Sequence, residues 1–234
     1  MRAGLRAHDR DCVIQQRYVP QAGQTVVCWG WRSGQIYRAA GCNVLVMERG
    51  YIGDRFAFTS MAWNGLNNRG TFPTVPDAAG ARFKANHSGS LKPWNPLGDY
   101  VLIAGQVPGD MSLQGRDLHP WYEEQAARWR ARGKTVMFRP HPLAAKRAPV
   151  LPVAGAPVLA GEMTDAIAHA ELVVTYNSNL GVDALLAGKL IHVEDCGSMA
   201  WGWIDRTEWA HALAWRQFTL DEIRSGFAWS VANG

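Results

Sequence analysis

The sequence predicts an α/β fold made of two Rossmann-like halves with helices at the C-terminus. Short apolar segments alternate with helix-like segments, the alternation stops once and restarts, and two further helix-like segments follow it. Hydrophobic residues make up 47% of the 234 residues and charged residues only 19%, so a substantial core can form. The predicted boundaries are 1–86 for the N-terminal half, 87–98 for a linker and 99–205 for the C-terminal half. Residues 206–234 are predicted to form helices that fold back and pack on the preceding part of the chain.

The N-terminal half begins as a βαβ unit. Thr25–Trp29 is a strand rich in β-branched residues, a glycine-containing turn follows, and residues 35–41 are helix-like before a second strand, Asn43–Glu48. Residues 49–70 are dense in Gly, Asn, Arg and aromatic side chains. This composition is typical of a long functional loop, here with a short strand at 56–61. A structural Ω-loop held by Asn side chains is the alternative.

The C-terminal half shows the same alternation over more elements. Its predicted strands are 99–106, 134–139, 172–176 and 189–193, and its predicted helices are 120–133, 164–170 and 180–187. The polar turn at 177–179 lies between a strand and a helix, where free backbone N–H groups would attract phosphate. An ordinary capped crossover is the alternative for this turn. Two tail helices are predicted at 207–215 and 219–229, the second with a capping box of Thr219 and Glu222.

Composition narrows the possible functions without choosing among them. The net charge of +4 permits a polyanionic partner but does not require one. The 11 Trp residues can stack on sugars or bases, or fill the core. The four Cys residues show no metal-ligand spacing, and neither a signal-peptide core nor a run of membrane-spanning length is found. We therefore expect a cytoplasmic protein with no membrane span and no bound metal, and the oligomeric state stays open.

Five short motifs occur in order between residues 25 and 205. They are Trp29-Gly30, the segment from Glu48 to Arg55, Gly105-Gln106 with Asp110, Arg139-Pro140-His141-Pro142, and Ser178 with Gly181–Leu186 and Gly188-Lys189. Together they resemble the Kdo transferases of bacterial capsule polysaccharide synthesis. Two Rossmann-like halves joined by a linker are likewise typical of a miniature GT-B-like arrangement, with ligand at the carboxyl ends of the strands.

The resemblance implies sugar transfer from a nucleotide-activated donor, with no cofactor beyond that co-substrate. This sequence has Asp183 where the family has Glu, and Arg49 where the family has an acid. The segment from Tyr51 to Arg55 is also one residue longer. These departures leave the donor open between a UDP-sugar and a CMP-sugar.

The resemblance also implies roles for individual residues. His141 would contact the donor phosphate, Asp183 would hold the ribose, and Asp110 would act in chemistry as a nucleophile. Residue chemistry allows Asp110 to act as a general base instead. The structural alternatives are a turn residue for Asp110, in Pro-Gly-Asp, and a rigid loop between prolines for His141.

Further candidates complete the predicted sites. The additional catalytic candidates are Glu48 and Asp54, and the additional donor-binding candidates are Gln106, Arg139, Asn177, Ser178 and Asn179. The acceptor-binding candidates are Trp31, Arg49, Arg55, Trp63 and Asn64. Arg supplies bidentate donors to anions, and aromatic rings stack on sugars or bases.

The sequence thus predicts a nucleotide-sugar-dependent glycosyltransferase. Its acceptor would be a glycan, or a hydroxymethylated base in DNA as used by small phage-type enzymes. The rival hypothesis is a non-catalytic nucleotide- or glycan-binding module of the same fold. Release of free nucleotide from an activated sugar separates the two.

Overall fold

The computed structural model describes residues 1–10, 12–15, 19–74 and 80–233, and it divides the chain into two compact units. Unit 1 comprises Met1–Ser88 and Thr207–Gly234, and unit 2 comprises Gly89–Arg206. Among the described residues, no helix combines the length and the apolar character that crossing a membrane requires.

The strands and helices alternate along most of the chain. The strands are β1 (Thr25–Trp29), β2 (Asn43–Arg49), β3 (Phe58–Trp63), β4 (Tyr100–Ala104), β5 (Val136–Arg139), β6 (Ala170–Thr175), β7 (Leu190–Val193) and β8 (Gln217–Thr219). The helices are α1 (Arg2–Arg6), α2 (Trp31–Ala39), α3 (Ala81–His87), α4 (His119–Arg130), α5 (Met163–Ala168), α6 (Leu180–Leu186), α7 (Arg206–Ala214), α8 (Leu220–Ser225) and α9 (Phe227–Asn233).

Unit 1 contains a mixed sheet with the strand order β1-β2-β3-β8. β1 and β2 are parallel, as the predicted βαβ unit requires, whereas β3 is antiparallel to both β2 and β8. The side chains of alternate residues in β2 point to opposite faces of the sheet. Val44 and Val46 pack with residues of α2, whereas Leu45 packs with Phe218, Ile223 and their neighbours in the C-terminal segment.

Unit 2 contains an all-parallel sheet with the order β5-β4-β6-β7. Both faces are covered, because Val101 and Ile103 pack toward α4 while Leu102 and Val173 pack toward α5 and α6. Strands buried on both faces are continuous apolar runs, which is why the sequence predicts them well. In the sheet, β5 lies on one side of β4 and β6 lies on its other side, so the strand order changes direction after β5. The topological switch point therefore lies between the carboxyl ends of β4 and β6.

Several predicted elements differ from the observed ones. The predicted tail helix 219–229 is two helices, because Gly226 adopts a left-handed φ of 91° between α8 and α9. The capping box of Thr219 and Glu222 is confirmed. α2 begins at Trp31 instead of residue 35, and the strand predicted at 56–61 begins at Phe58. α1, α3 and β8 are additional elements that the sequence did not predict.

Candidate functional site

The carboxyl edge of the unit 2 sheet gathers most of the predicted donor-site residues. Gln106 and Asp110 follow β4, His141 follows β5, and Asn177 follows β6. In a parallel sheet these strand ends lie at one edge, where ligands bind in open α/β folds. The topology therefore brings the predicted residues to the expected place.

Gln106 and Asn177 form a reciprocal amide pair across the switch point. The Asn177 backbone N–H donates to Gln106 Oε1 at 3.0 Å, and Gln106 Nε2 donates to Asn177 Oδ1 at 2.7 Å. The Gln106 backbone N–H donates to the Tyr122 hydroxyl at 2.9 Å. Asn177 is buried, with 4% of its surface exposed. The pair joins the ends of β4 and β6.

The Asn177 amide extends this network to two more segments. Its Nδ2 donates to the Ser112 carbonyl at 2.9 Å and to Asp195 Oδ2 at 2.7 Å. Ser112 Oγ lies 3.2 Å from Asn177 Oδ1 and 2.7 Å from Asp110 Oδ1. The polar atoms of the Asn177 side chain are thus all engaged within the protein. This arrangement favours a positioning role for Asn177 and Gln106 over direct contact with a ligand.

Asp110 is exposed and caps a short 3₁₀ turn, Met111–Leu113. Its Oδ1 accepts hydrogen bonds from the backbone N–H of Ser112 at 2.8 Å and from the Ser112 hydroxyl at 2.7 Å. Its Oδ2 makes no hydrogen bond with the part of the chain that the structure describes. The turn-forming role therefore occupies one carboxylate oxygen and leaves the other for chemistry.

His141 is half-buried and lines a cavity of about 390 Å³. Its Nδ1 accepts a hydrogen bond from the Leu143 backbone N–H at 3.1 Å. The neutral ring therefore carries its proton on Nε2. Burial raises the pKa of Tyr122, in the same cavity wall, to about 12, so its hydroxyl stays protonated.

The cavity also contains polar groups that the sequence analysis passed over. Arg116, Asp117 and His119 line it, together with apolar side chains such as Leu113 and Phe138. Asp117 Oδ1 accepts from the His119 backbone N–H at 3.0 Å. The sequence signal was the short run Arg116-Asp117-Leu118-His119, which leads into α4. An apolar pocket with a few polar groups is typical of a site for a small organic ligand.

Arg139 anchors a loop. Its Nη1 donates to the Leu159 carbonyl at 3.2 Å and its Nη2 to the Gly161 carbonyl at 2.5 Å. Two of its nitrogens are thus bonded to backbone oxygens. These bonds favour a structural role for Arg139 in addition to the predicted contact with donor phosphate.

The turn after β6 does not present the free N–H groups that the sequence predicts. Ser178 N–H donates to Thr175 Oγ1 at 3.0 Å, Leu180 N–H to Ser178 Oγ at 3.2 Å, and Gly181 N–H to the Ser178 carbonyl at 3.1 Å. The prediction is wrong for these groups because the Thr175 and Ser178 side chains and the Ser178 carbonyl accept from them. Asp183 and Asn179 are half-buried here, and Asp183 lies in the first turn of α6, as predicted.

In unit 1, the catalytic candidates Glu48 and Asp54 both support local structure. Glu48 Oε1 accepts from the Trp31 backbone N–H at 3.3 Å, at the start of α2. Burial raises the pKa of the nearby Cys28 thiol to about 11, and the Glu48 charge adds to the effect. Asp54 is exposed, and its Oδ1 accepts from the Phe56 backbone N–H at 2.9 Å.

The predicted acceptor residues do not form one cluster. Asn64 Oδ1 accepts from the Val44 backbone N–H at 2.8 Å, at the start of β2, whereas Arg49 ends that strand. The five residue steps from Val44 to Arg49 along β2 separate these points by about 17 Å. The physical reason is that β3 is antiparallel to β2 and returns Trp63 and Asn64 to its beginning.

The other acceptor candidates also have local partners. Trp63 Nε1 donates to the Ala232 carbonyl at 2.7 Å, and its ring packs edge-on against Trp229. Trp31 packs against the buried cluster beneath α2, and Arg55 Nε donates to the Gly50 carbonyl at 2.8 Å. Of the predicted acceptor set, Arg49 makes no hydrogen bond or ion pair with the described residues, whereas Arg55 uses its Nε for the contact with Gly50.

The fold is similar to solved structures of two enzymes from Thermosulfurimonas dismutans. The KpsC beta Kdo 2,7 transferase matches with a TM-score of 0.57 and 15% identity, over 90% of this chain and 86% of that chain. The KpsC beta Kdo 2,4 transferase matches with a TM-score of 0.50 and 16% identity, over 80% of this chain and 78% of that chain. No protein-family model and no curated protein matches the sequence. The likeness confirms the predicted GT-B-like fold, and the chain has the fold of these Kdo transferases.

Proposed function

We propose that the protein transfers a sugar from a nucleotide-activated donor bound at the carboxyl edge of unit 2. The supporting observation is the placement of Asp110 and His141 after the adjacent strands β4 and β5, with His141 in the cavity wall. Gly109, the neighbour of Asp110, also lines that cavity. A carboxylate and an imidazole N–H at one site suit attack on a sugar and stabilisation of its leaving phosphate.

In this proposal His141 and Asp110 perform different tasks. His141 donates its Nε2 proton as a hydrogen bond to a donor phosphate oxygen, where negative charge grows as the sugar departs. As a nucleophile, Asp110 Oδ2 bonds to the anomeric carbon while the bond from that carbon to the phosphate oxygen breaks. The acceptor hydroxyl then displaces the carboxylate, and its proton passes to an oxygen of the departed nucleotide phosphate. As a base, Asp110 Oδ2 instead takes the acceptor's proton.

The remaining groups hold the donor. Asp183 accepts hydrogen bonds from the ribose hydroxyls, and the Gln106–Asn177 pair fixes the segments that carry Asp110 and the turn after β6. Protein N–H groups stabilise the leaving phosphate, so the proposal requires no metal. The donor is a UDP- or CMP-sugar. Because the structural neighbours are named Kdo transferases, we favour a glycan acceptor over hydroxymethylated DNA.

A donor panel tests this proposal. The protein is incubated with CMP-, UDP- and GDP-sugars, CMP-Kdo included, and free nucleotide is measured with and without glycan or hydroxymethylated DNA. We expect release from one donor class. His141→Ala and Asp183→Ala should each weaken nucleotide binding about tenfold or more, since each loses a charge-assisted hydrogen bond.

The control variant is His169→Ala. His169 is exposed, and it precedes β6 at the opposite edge of the same sheet. Its loss should leave nucleotide affinity unchanged. Tight binding of a nucleotide-sugar without release of nucleotide would support the non-catalytic module instead. Unchanged affinity in both His141→Ala and Asp183→Ala would contradict the placement of the donor.

A further inference from the structure

The Arg49 guanidinium lies against two aromatic rings at the carboxyl ends of β1 and β2, the parallel strands of the unit 1 sheet. Its central carbon is 5.6 Å from the centroid of Trp29 and 4.0 Å from that of Phe56. Trp29 ends β1, Arg49 ends β2, and Phe56 lies in the loop before β3. We call these three residues the Arg49 cluster. Cation–π contacts with two rings restrict the guanidinium and leave its N–H groups at the edge of the stack.

The hydrogen-bond donors of Arg49 are unused within the described residues. Arg49 makes no hydrogen bond and no ion pair with any of them. Arg82 in the same unit provides the contrast. It is buried and donates to the Glu222 carboxylate and to the carbonyls of Ala214 and Gln217. The Arg49 cluster thus holds an oriented cation that the surrounding protein does not neutralise.

The two rings of the Arg49 cluster are also unusually exposed. Trp29 has 53% of its surface accessible and Phe56 has 74%. A ligand that covered these rings would remove apolar surface from water. Burial of an aromatic ring beside a cation is characteristic of recognition sites that need both stacking and charge.

Two acidic side chains are close to the Arg49 cluster along the chain, and among the described residues neither forms an ion pair with Arg49. Asp54 Oδ1 accepts from the Phe56 backbone N–H at 2.9 Å, and Glu48 lies on the other face of the sheet. Trp29 pairs with Met47 in the parallel register, so Trp29 and Arg49 share one face. Glu48 lies on the opposite face, where it meets the start of α2. Its carboxylate therefore does not occupy the side on which the Arg49 cluster would bind an anion.

We propose that the Arg49 cluster is an acceptor subsite that binds the carboxylate of a sugar acid. The planar guanidinium matches a carboxylate with two parallel hydrogen bonds, and the indole and phenyl rings pack against the pyranose. As an acceptor subsite, it rests on the proposed function. Arg49 is then the specificity-determining residue for acidic over neutral acceptors.

A matched pair of sugars tests the charge preference. Methyl glucuronide and methyl glucoside differ in carrying a carboxylate or a hydroxymethyl group, and ligand-observed NMR titration gives both dissociation constants without any donor present. We expect the wild-type chain to bind the acid about tenfold more tightly. Arg49→Gln should reduce that ratio to about one. Arg49→Lys should keep part of it, because the charge stays while the planar fork is lost.

Two further sets of variants separate charge from stacking. Arg32→Gln removes the same charge from an exposed position in α2 and should leave the ratio unchanged. Phe56→Ala should weaken both sugars to a similar extent, since it removes a stacking surface and keeps the charge. Retention of the acid preference in Arg49→Gln, or equal affinities in the wild-type chain, would overturn the proposal.

The remaining outcomes distinguish this proposal from the proposed function. Tighter binding of a short single-stranded DNA than of the sugar acid, lost in Arg49→Gln, would overturn it and assign the cluster to a phosphate. A protein inactive with every nucleotide-sugar, yet selective for the acid through Arg49, would contradict glycosyl transfer and retain the carboxylate site. Active transfer with no selectivity for the acid would support glycosyl transfer and overturn the carboxylate site.

Discussion

Polar side chains at the carboxyl ends of the parallel strands differ in their hydrogen bonding between the two sheets. At the unit 2 edge, Gln106, Asn177 and Ser112 hydrogen-bond one another across the switch point. At the unit 1 edge, Arg49 is exposed between two rings with its donors unused among the described residues. Burial and hydrogen-bond partners therefore favour a positioning role for Gln106 and Asn177, and they leave Arg49 as the proposed ligand contact. A motif match alone does not give this distinction.

The two units also differ in the chemistry of their buried networks. In unit 2 the network consists of the amides of Gln106 and Asn177, the Ser112 hydroxyl and the carboxylates of Asp110 and Asp195, and these five residues include no histidine. In unit 1, Arg82 bonds Glu222, and His87 bonds Gln217, which also accepts from the backbone N–H groups of Tyr51 and Ile52. This second network connects the C-terminal segment to the N-terminal segment of unit 1. The unit 1 network should therefore respond to pH more strongly than that of unit 2.

The largest expected effect tests whether the unit 2 edge carries chemistry. Asp110→Asn keeps the Oδ1 acceptor that caps the Ser112 turn and removes the charge on the other oxygen. We expect nucleotide-sugar binding within about threefold of wild type, and turnover lower by about 10²- to 10⁴-fold or more. Binding titration and the rate of nucleotide release measure the two quantities.

Asp110→Ala is the companion variant, because it removes both the cap and the charge. Loss of such a cap costs about 1 kcal/mol, so this variant should also be less stable in urea. If Asp110→Asn turned over normally while Asp110→Ala lost stability, Asp110 would be a turn residue. The unit 2 edge would then have lost its candidate catalytic carboxylate.

The second prediction tests whether Asn177 is structural. Asn177→Ala leaves Gln106, Ser112 and Asp195 without a shared partner in a buried position, so we expect a loss of about 3 kcal/mol in unfolding free energy. Urea unfolding measures it. Asn95→Ala, at an exposed position in the same unit, should change stability by less than about 0.5 kcal/mol. Unchanged stability with lost nucleotide affinity would instead make Asn177 a direct ligand contact.

Local patterns in the sequence predict much of unit 2. Strands such as Ala170–Thr175 are apolar runs flanked by helices and turn residues, and they form the parallel sheet that this pattern indicates. The motif residues also lie at the predicted edge, because the carboxyl ends of parallel strands coincide. These features follow from residues that are close together along the chain.

Non-local contacts limited the prediction of unit 1. β8 is three residues long and pairs with β3, so Gln217 meets Ser60 across more than half of the chain, which periodicity does not reveal. Because β3 is antiparallel to β2, Trp63 and Asn64 lie beside the beginning of β2, whereas Arg49 lies at its end. Their closeness in sequence suggested a single acceptor site. Only the strand pairing shows that they lie at opposite ends of β2.

The smallest expected effect is a loss of unit 1 stability in mild acid. Burial, with a smaller contribution from the Arg82 charge, lowers the pKa of His87 to about 4. The neutral ring accepts a hydrogen bond from Gln217 Nε2 at 3.0 Å. Unfolded histidine has a pKa of about 6.5, so between about pH 6.5 and 4 the unfolded chain binds more protons. The unfolding free energy should therefore fall by about 1–3 kcal/mol as pH is lowered through this window.

Hydrogen exchange at pH 7 and pH 5, corrected for intrinsic rates, should show the loss in unit 1 but not in unit 2. Burial raises the pKa of Glu222, but hydrogen bonds from Arg82 and Thr219 outweigh that effect and hold the pKa below its ordinary value. His87→Gln removes the histidine titration and should remove most of the pH dependence, whereas an equal loss in wild type and variant would assign it to another group.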